Sequence, residues 1–137
     1  MNNFREHPDF ALLESLALVR GDFAIAGSGP LYVRGLIDDI GDVDVVARGA
    51  AWREVCRLGT VVDAPFSTVH RVCLFGGKIE VLDGWFPELW DVDQLIDGAD
   101  VIDGFRLVRL DVVTATKRML QRPRDRTHLE LLAARQA

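Results

Sequence analysis

Three acidic residues are spaced so that they can share a divalent cation. Asp42 and Asp44 lie two residues apart in an otherwise apolar segment, so a β-strand there would point both carboxylates to the same side. Glu80 lies on a second predicted strand, where it fits an apolar–acid–apolar pattern better than its rival Asp83. Carboxylate oxygens are ligands that Mg²⁺ prefers, and acids are costly to bury without a partner. The pattern therefore predicts a magnesium site for one or two ions.

A glycine–serine turn precedes the acidic strand. Gly27 and Ser28 lie between a predicted strand over residues 22–26 and a predicted helix over residues 31–36. Such a turn offers backbone N–H groups and the positive end of a helix dipole, which suits a phosphate group. The alternative is an ordinary strand–helix turn in which Ser28 or Gly29 caps the helix. The sequence there matches neither a dinucleotide-binding fingerprint nor a P-loop.

Charge is distributed unevenly along the second half of the chain. Residues 80–103 contain eight acids and no lysine or arginine, whereas residues 117–126 contain five basic residues and one acid. Lys117 is a candidate phosphate contact, because its ammonium group is a compact point charge. Arg122 and Asp125 either contribute to the same site or form a structural ion pair at a turn between helices. The basic run thus predicts either a cationic patch that faces phosphates or a solvated helix end.

The order of these residues resembles that of the nucleotidyltransferase superfamily related to DNA polymerase β. The family places a Gly-Ser turn before a helix, as at Gly27 and Ser28, and two acids on the next strand, as at Asp42 and Asp44. A third acid follows on a later strand, as at Glu80. The resemblance covers residues 20–132, and it implies a nucleotidyltransferase-like fold with a small twisted mixed sheet and flanking helices.

Small proteins of this superfamily, including toxin components of abortive-infection systems, carry a lysine followed by an Arg-x-Lys-Asp run near the C-terminus. This chain is similar at Lys117, Arg122 and Asp125, with Arg124 where lysine is usual. Gly41 stands where many members of the superfamily have serine or arginine. In these proteins the lysine contacts nucleotide phosphate, and the aspartate is often placed in the active centre.

The resemblance implies a Mg²⁺-dependent enzyme that transfers a nucleotidyl group from a nucleoside triphosphate to the hydroxyl of an acceptor, which the sequence does not identify. The residues that would carry catalysis and hold one or two metal ions are Asp42, Asp44 and Glu80. The residues that would bind the nucleotide are Gly27, Ser28, Lys117, Arg122 and Asp125. The alternative is a non-catalytic nucleotidyltransferase-fold module that binds a nucleotide or a partner protein, as in a toxin–antitoxin-like pair, or that forms a homodimer. In that case the acidic stretch over residues 80–103, with its tryptophans, would be a protein-binding face.

The elements that must position these residues follow from apolar periodicity and turn signals. The predicted helices cover residues 8–21, 31–36, 50–58, 112–121 and 123–135, with a short one from about Asp91, and Asp111 is the predicted cap of the fourth. The predicted strands cover residues 22–26, 43–47 and 60–63, and two hairpins turn at Gly76-Gly77 and Asp103-Gly104. This order predicts one α+β (or α/β-like) domain over residues 1–137, with helices packed against a mixed sheet.

Composition narrows the class of protein further. The 137-residue chain carries a net charge of −5, which argues against a general nucleic-acid coat protein. It has no apolar run of membrane-helix length and no signal-peptide pattern, so a cytoplasmic protein without a membrane partner is expected. Cys56 and Cys73 predict no disulfide framework, and the three histidines lack zinc-ligand spacing. The aromatic side chains of Trp85, Phe86 and Trp90 are predicted to be core or interface, with stacking on a base as the alternative.

Overall fold

A seven-stranded mixed sheet forms the centre of the protein in the computed structural model, which describes residues 3–65 and 68–136. The strands are β1 (Phe23–Ala26), β2 (Val43–Ala47), β3 (Val62–Asp63), β4 (His70–Leu74), β5 (Ile79–Leu82), β6 (Asp100–Ile102) and β7 (Phe105–Leu107). Their order across the sheet is β3-β4-β5-β2-β1-β7-β6. β2 and β5 are parallel, as are β1 and β7, and the other neighbouring pairs are antiparallel.

Helices flank this sheet, which confirms the α+β class predicted from the sequence. Within the two described ranges they are α1 (Pro8–Ser15), α2 (Gly29–Val33), α3 (Gly49–Leu58), α4 (Val92–Asp97), α5 (Leu110–Leu120) and α6 (Pro123–Gln136). The predicted starts of α4, at Asp91, and of α6, at Pro123, agree with the structure. None of the helices in this part of the chain combines the length and the apolar composition that crossing a membrane requires.

Two helices are shorter than the apolar spacing predicts. α1 ends at Ser15 rather than near Gly21, because Ala17 has a left-handed φ of 51° and the chain turns there. The turn lets Leu18 join the core. α2 is a helix of five residues, and it ends before Gly35, whose φ of 74° lies outside helical geometry. In both places a change of chain direction buries an apolar residue beyond the helix, Leu18 after α1 and Ile37 after α2, which periodicity does not reveal.

Two further predictions are wrong in detail. The link between β4 and β5 is not a two-residue Gly-Gly turn, because Leu74 pairs with Ile79 and a 3₁₀ turn covers Phe75–Gly77 between them. Asp111 does not cap α5, because Arg109 occupies the N-cap position. Asp111 instead accepts a hydrogen bond of 3.2 Å from Arg109 Nε within the first turn.

The central strands are almost entirely buried. All four residues of β1 are buried, and in β2 every residue except Asp44 is buried. In β5 the same exception falls at Glu80. Because β2 and β5 are neighbours in the middle of the sheet, the two acids interrupt the apolar core from its centre rather than from an exposed edge. The sheet therefore holds these side chains on rigid, fully paired strands.

Candidate active site

The parallel pairing of β2 and β5 brings the acidic residues together. Asp44 and Glu80 lie directly opposite each other in the register, and Asp42 lies immediately before β2 rather than within it. One carboxylate oxygen of each residue lies within 4.8 Å of the other two. Asp83 is not part of this cluster within the described ranges, and it accepts a hydrogen bond of 2.8 Å from the His70 backbone N–H. The three predicted ligands thus meet at one point of the sheet.

The electrostatics of this cluster favour a cation. Burial, followed by the charges of Asp42 and Glu80, raises the pKa of Asp44 to about 7. The pKa of Asp42 is also raised, first by burial and then by Glu80, while the positive charge of Arg124 acts in the opposite direction. A divalent cation would favour the ionised form of each carboxylate. Oxygen-only ligands in a half-buried position match the preference of Mg²⁺, which keeps further positions for water and phosphate.

Gly27 and Ser28 lie beside the acidic cluster. Gly27 has a φ of 64°, and a Cβ atom at this position would collide with Asp44 Oδ2, so only glycine fits between the turn and the carboxylate. Ser28 is the N-cap residue of α2 by its backbone, but its hydroxyl makes no capping hydrogen bond. The Ser28 Oγ accepts a hydrogen bond of 2.9 Å from Lys117 Nζ instead. Because α2 is so short, its dipole is weaker than the sequence predicts, and the lysine supplies the positive charge at this turn.

Lys117 connects the turn to the C-terminal helices. Its side chain is 3% exposed, and its Nζ atom donates both to Ser28 Oγ and, over 3.3 Å, to Asp125 Oδ1. Burial lowers the pKa of Lys117, while the neighbouring Asp125 acts to raise it. The ammonium group is therefore fixed directly behind the Gly27–Ser28 turn. It can act on an anion at the turn through its charge and through the hydroxyl that it orients.

Asp125 is the anchor of the turn between α5 and α6. Its carboxylate accepts hydrogen bonds from Arg122 Nε at 2.7 Å and from the Arg122 backbone N–H at 3.1 Å. The backbone contact is a capping interaction at the start of α6. Burial would raise the pKa of Asp125, but Arg122 and Lys117 together hold it below its ordinary value. The sequence left open whether Arg122 and Asp125 contribute to the site or form a structural ion pair. In the structure they form the ion pair at the turn between the two helices.

These residues surround a single cleft with a volume of about 230 Å³. Its polar part contains seven of the eight predicted site residues, namely Gly27, Ser28, Asp42, Asp44, Glu80, Lys117 and Arg122. Asp125 is fully buried behind Lys117 and Arg122 and does not line the cleft. The structure thus places Asp125 where it positions the two basic side chains, Lys117 and Arg122, rather than where it would contact a ligand.

Two arginines that line the cleft were not among the predicted site residues. Arg71 on β4 donates a hydrogen bond of 2.7 Å from Nη1 to Glu80 Oε1. Arg124 approaches Gly41 so closely that a Cβ atom there would lie 3.1 Å from its Nη1 atom. The available sequence signal for Arg71 was alternation, because Val72 and Leu74 are buried and residue 71 must point to the opposite face.

The apolar wall of the cleft comes from the end of β5, the segment after it, the residue that follows β7, and α5. It consists of Leu82, Trp85, Phe86, Val108, Val113 and Leu120, with Ala64 and Pro65 at the rim. Trp85 Nε1 donates a hydrogen bond of 3.1 Å to Thr116 Oγ1, which fixes the indole against α5. Phe86 is buried, and Trp90 packs edge-to-face against it outside the cleft. The predicted core role therefore holds for Phe86, and Trp85 is the aromatic side chain placed to contact a ligand.

The histidines lie in three different environments. His7 caps α1 by accepting a hydrogen bond from the Asp9 backbone N–H at 3.1 Å, and His70 contacts Asp83 at 3.1 Å. His128 is buried in α6, where burial and then the charges of Lys117 and Arg124 lower its pKa to about 4. The three side chains are thus held by different elements of the fold.

Comparisons with known proteins identify no relative of this chain. No protein-family model, no curated protein and no solved structure matches the chain at a significant level. The function of the protein must therefore be inferred from the residues of the cleft and from their geometry.

Proposed function

We propose that this protein is a Mg²⁺-dependent nucleotidyltransferase that transfers a nucleotidyl group from a nucleoside triphosphate to an acceptor hydroxyl. The observation that carries the proposal is the convergence on one cleft of Asp42, Asp44 and Glu80 with a glycine–serine turn and four basic side chains. Their segments are far apart in the sequence, and the acidic and basic groups are adjacent without neutralising one another completely. A triphosphate with its cations carries both kinds of charge and matches this arrangement.

The basic half of the cleft would hold the phosphates. The Gly27–Ser28 turn offers backbone N–H groups beside a hydroxyl that Lys117 holds in place. The Arg122 side chain lines the same half of the cleft, and its orientation is set by Asp125. Phosphate oxygens accept strong hydrogen bonds from such charged donors. The apolar wall around Trp85 is the surface available for the base or for an apolar part of the acceptor.

The acidic half would carry the chemistry. The acceptor oxygen would form a bond to the α-phosphorus as the bond from that phosphorus to the bridging oxygen breaks, and pyrophosphate would leave. Bound Mg²⁺ would neutralise the charge on the phosphates and on the leaving group. We assign the acceptor proton to the Glu80 carboxylate. This assignment makes Glu80 both a cation ligand and the proton acceptor.

A second candidate, nucleotide binding without transfer, is favoured by one feature of the site. Lys117 Nζ is buried and already donates hydrogen bonds to Ser28 and Asp125, so this ammonium group is not presented directly to a ligand. A binding module of this kind could act with a partner protein or as a homodimer. It would bind the triphosphate and release no pyrophosphate.

Thermal unfolding with each common nucleoside triphosphate, with and without Mg²⁺, is the first test. A ligand at 100 times its Kd stabilises a protein by about 2.7 kcal/mol, which raises the melting temperature of a domain of this size by several degrees. We expect a shift that needs both Mg²⁺ and a triphosphate. The result would also identify the preferred base.

Asp44→Asn is the matching variant, because it removes the charge while keeping the shape of the side chain. We expect it to fold, to show no shift with Mg²⁺ and triphosphate, and to lose pyrophosphate release in the presence of acceptor. Asp38→Asn, at an exposed loop position, is the control and should behave as the wild type. Binding without pyrophosphate release would favour the second candidate, and a wild type that binds no triphosphate would refute both.

A further inference from the structure

Arg71 occupies a place in the cleft that its ion pair with Glu80 does not fully explain. It lies opposite Leu82 in the pairing of β4 with β5, one step diagonally from Glu80, and diagonal neighbours on one sheet face are within reach of long side chains. Its Nη1 atom donates to Glu80 Oε1 at 2.7 Å, and its side chain remains 29% exposed towards the cleft that it lines. The Nη1 end of the guanidinium is thus paired, while the side chain still forms part of the lining of the cleft.

The hydrogen-bonding capacity of Arg71 is only partly used. A guanidinium group has five N–H donors in a planar fork. Its Nε atom is buried and has no hydrogen-bond partner among the described residues. A buried donor without a partner is costly, and the ion pair with Glu80 alone does not offset this cost. The unmatched donor indicates that an acceptor is missing from the arrangement.

The position of Arg71 relative to Lys117 also indicates a role in binding phosphates. Lys117 and Ser28 lie on the β1 side of the carboxylates, while Arg71 reaches them from β4, on the opposite side. A chain of phosphates held by the carboxylates through cations would therefore meet a fixed positive group at each end. Arg71 provides the planar geometry that binds two phosphate oxygens at once.

We propose that Arg71 binds a phosphate oxygen of the triphosphate when cations occupy Asp42, Asp44 and Glu80, and that its pairing with Glu80 is the arrangement of the same guanidinium before ligand binding. This inference rests on the proposed function and adds a substrate-binding residue to it. It assigns Arg71 two effects of opposite sign. Its positive charge opposes cation binding at the carboxylates, and it favours the binding of the anion.

Two binding measurements on Arg71→Gln test these opposite signs. The first is Mn²⁺ binding without nucleotide, followed by the electron paramagnetic resonance signal of free Mn²⁺. Removing a positive charge beside the carboxylates should tighten Mn²⁺ binding at least about threefold. The second is calorimetry with inorganic tripolyphosphate and Mg²⁺, where losing a charged donor should weaken binding about tenfold. Both measurements are independent of turnover.

Matched variants separate this role from a structural one. Arg57→Gln removes the same charge from an exposed pair with Glu54 on α3, and both affinities should equal those of the wild type. Arg71→Lys keeps the charge but not the fork, so Mn²⁺ affinity should stay within about twofold of the wild type while tripolyphosphate binds more weakly. Arg71→Lys also provides the test if Arg71→Gln does not fold, because unchanged tripolyphosphate affinity would then overturn the inference.

The failures of the two proposals have different signatures. If the wild type binds tripolyphosphate and Arg71→Gln binds it equally well, the inference about Arg71 is overturned and the proposed function stands. If Arg71→Gln weakens Mn²⁺ binding, Arg71 only orients Glu80, and the inference is overturned as well. If the wild type binds Mn²⁺ but no tripolyphosphate, both proposals are refuted together.

Discussion

At the scale of single residues, Asp44 and Lys117 carry buried charges that are compensated to different degrees. Lys117 has an opposite charge at 3.3 Å in Asp125 and a hydroxyl acceptor in Ser28. Asp44 has charges of its own sign as its strongest neighbours, and Arg124 and Arg122 only partly reduce its raised pKa. The charge of Lys117 is thus compensated within the protein, whereas the charge of Asp44 is not. This difference suggests that Lys117 mainly positions the site, whereas Asp44 binds the cation.

The buried His128 predicts how stability changes in mild acid. Its pKa in the folded protein is about 4 against an ordinary value of 6.5, because of burial and the nearby positive charges of Lys117, Arg124 and Arg122, which Asp125 only partly offsets. Between these pH values the unfolded chain binds more protons than the folded one, so the free energy of unfolding falls as the pH decreases from about 6.5 to 4. We expect a contribution on the order of 1 kcal/mol after allowing for solvent screening.

Urea unfolding of the wild type and of His128→Leu across this pH range measures the effect. The variant keeps every other titrating group, so the difference between the two curves isolates His128. Its free energy of unfolding should fall less steeply with decreasing pH than that of the wild type. Parallel curves would mean that the imidazole titrates equally in the folded and unfolded states.

The sequence predicts some residues of the site better than others. Strand alternation predicted that Asp42 and Asp44 share one side of a strand, whereas only the family resemblance implied that Glu80 joins them. The parallel pairing of β2 with β5, which brings the three carboxylates together, is not visible in residue spacing. Arg71 depends on which residue of β4 lies beside Glu80, and that register is set by the length of the β4–β5 link. The predicted two-residue link gives the same register, because it also pairs Leu74 with Ile79. The contact between Arg71 and Glu80 depends instead on the conformations of two long side chains that are diagonal neighbours across the sheet, which spacing does not reveal.

At the scale of elements, the turn between β1 and α2 is shaped by the carboxylate beneath it. Gly27→Ala would place a methyl group on a left-handed residue and against Asp44 Oδ2. Gly35→Ala is a matched control, because Gly35 has a similar φ of 74° with open space around it. Both variants incur the backbone cost of about 1 kcal/mol, and Gly27→Ala should lose up to about 3 kcal/mol in total.

The response to cations separates the two glycine variants more sharply than stability does. Gly27→Ala should displace Asp44 and therefore lose the increase in melting temperature that Mg²⁺ with triphosphate gives the wild type. Gly35→Ala should retain that increase in full. Equal responses in the two variants would show that the turn does not constrain the carboxylate.

The α5–α6 turn depends on Asp125 in the same way. Asp125→Asn would leave the buried ammonium of Lys117 without its counter-charge, and breaking such a pair typically costs about 3–5 kcal/mol. For a domain of this size the melting temperature should fall by about 10 °C. Asp111→Asn, which affects an exposed pair with Arg109, should change stability by less than about 0.5 kcal/mol. Thermal unfolding compares the two directly.

The outcome for Asp125→Asn also distinguishes positioning from ligand contact. A large loss of stability is expected if Asp125 acts only through Lys117 and Arg122. A variant with wild-type stability that no longer binds triphosphate would contradict this and place Asp125 in contact with the ligand. The family resemblance alone does not decide between the two roles, because it identifies the residue and not its depth in the fold.

At the scale of the whole molecule, the acidic stretch from residue 80 to residue 103 is not a continuous surface. Asp93 and Asp97 both pair with Arg48, Asp100 pairs with Arg34, and Glu80 lies in the cleft. Acids that are adjacent in the sequence are thus distributed over several elements and engage arginines from the first half of the chain. This arrangement weakens the hypothesis of a continuous acidic protein-binding face.

Ligand binding at the cleft should therefore stabilise the molecule as one unit. The lining residues extend from Gly27 to Arg124 and come from the β1–α2 turn, β2, β4, β5, α5 and the α5–α6 turn. In urea, Mg²⁺ with a triphosphate at 100 times its Kd should add about 2.7 kcal/mol to the free energy of unfolding. The midpoint should rise while the slope of the transition stays constant, because the surface exposed on unfolding is unchanged. A midpoint that also rises in Asp44→Asn would show that the ligand binds elsewhere, and a transition that splits in two would show that the helices and the sheet are coupled only weakly through the cleft.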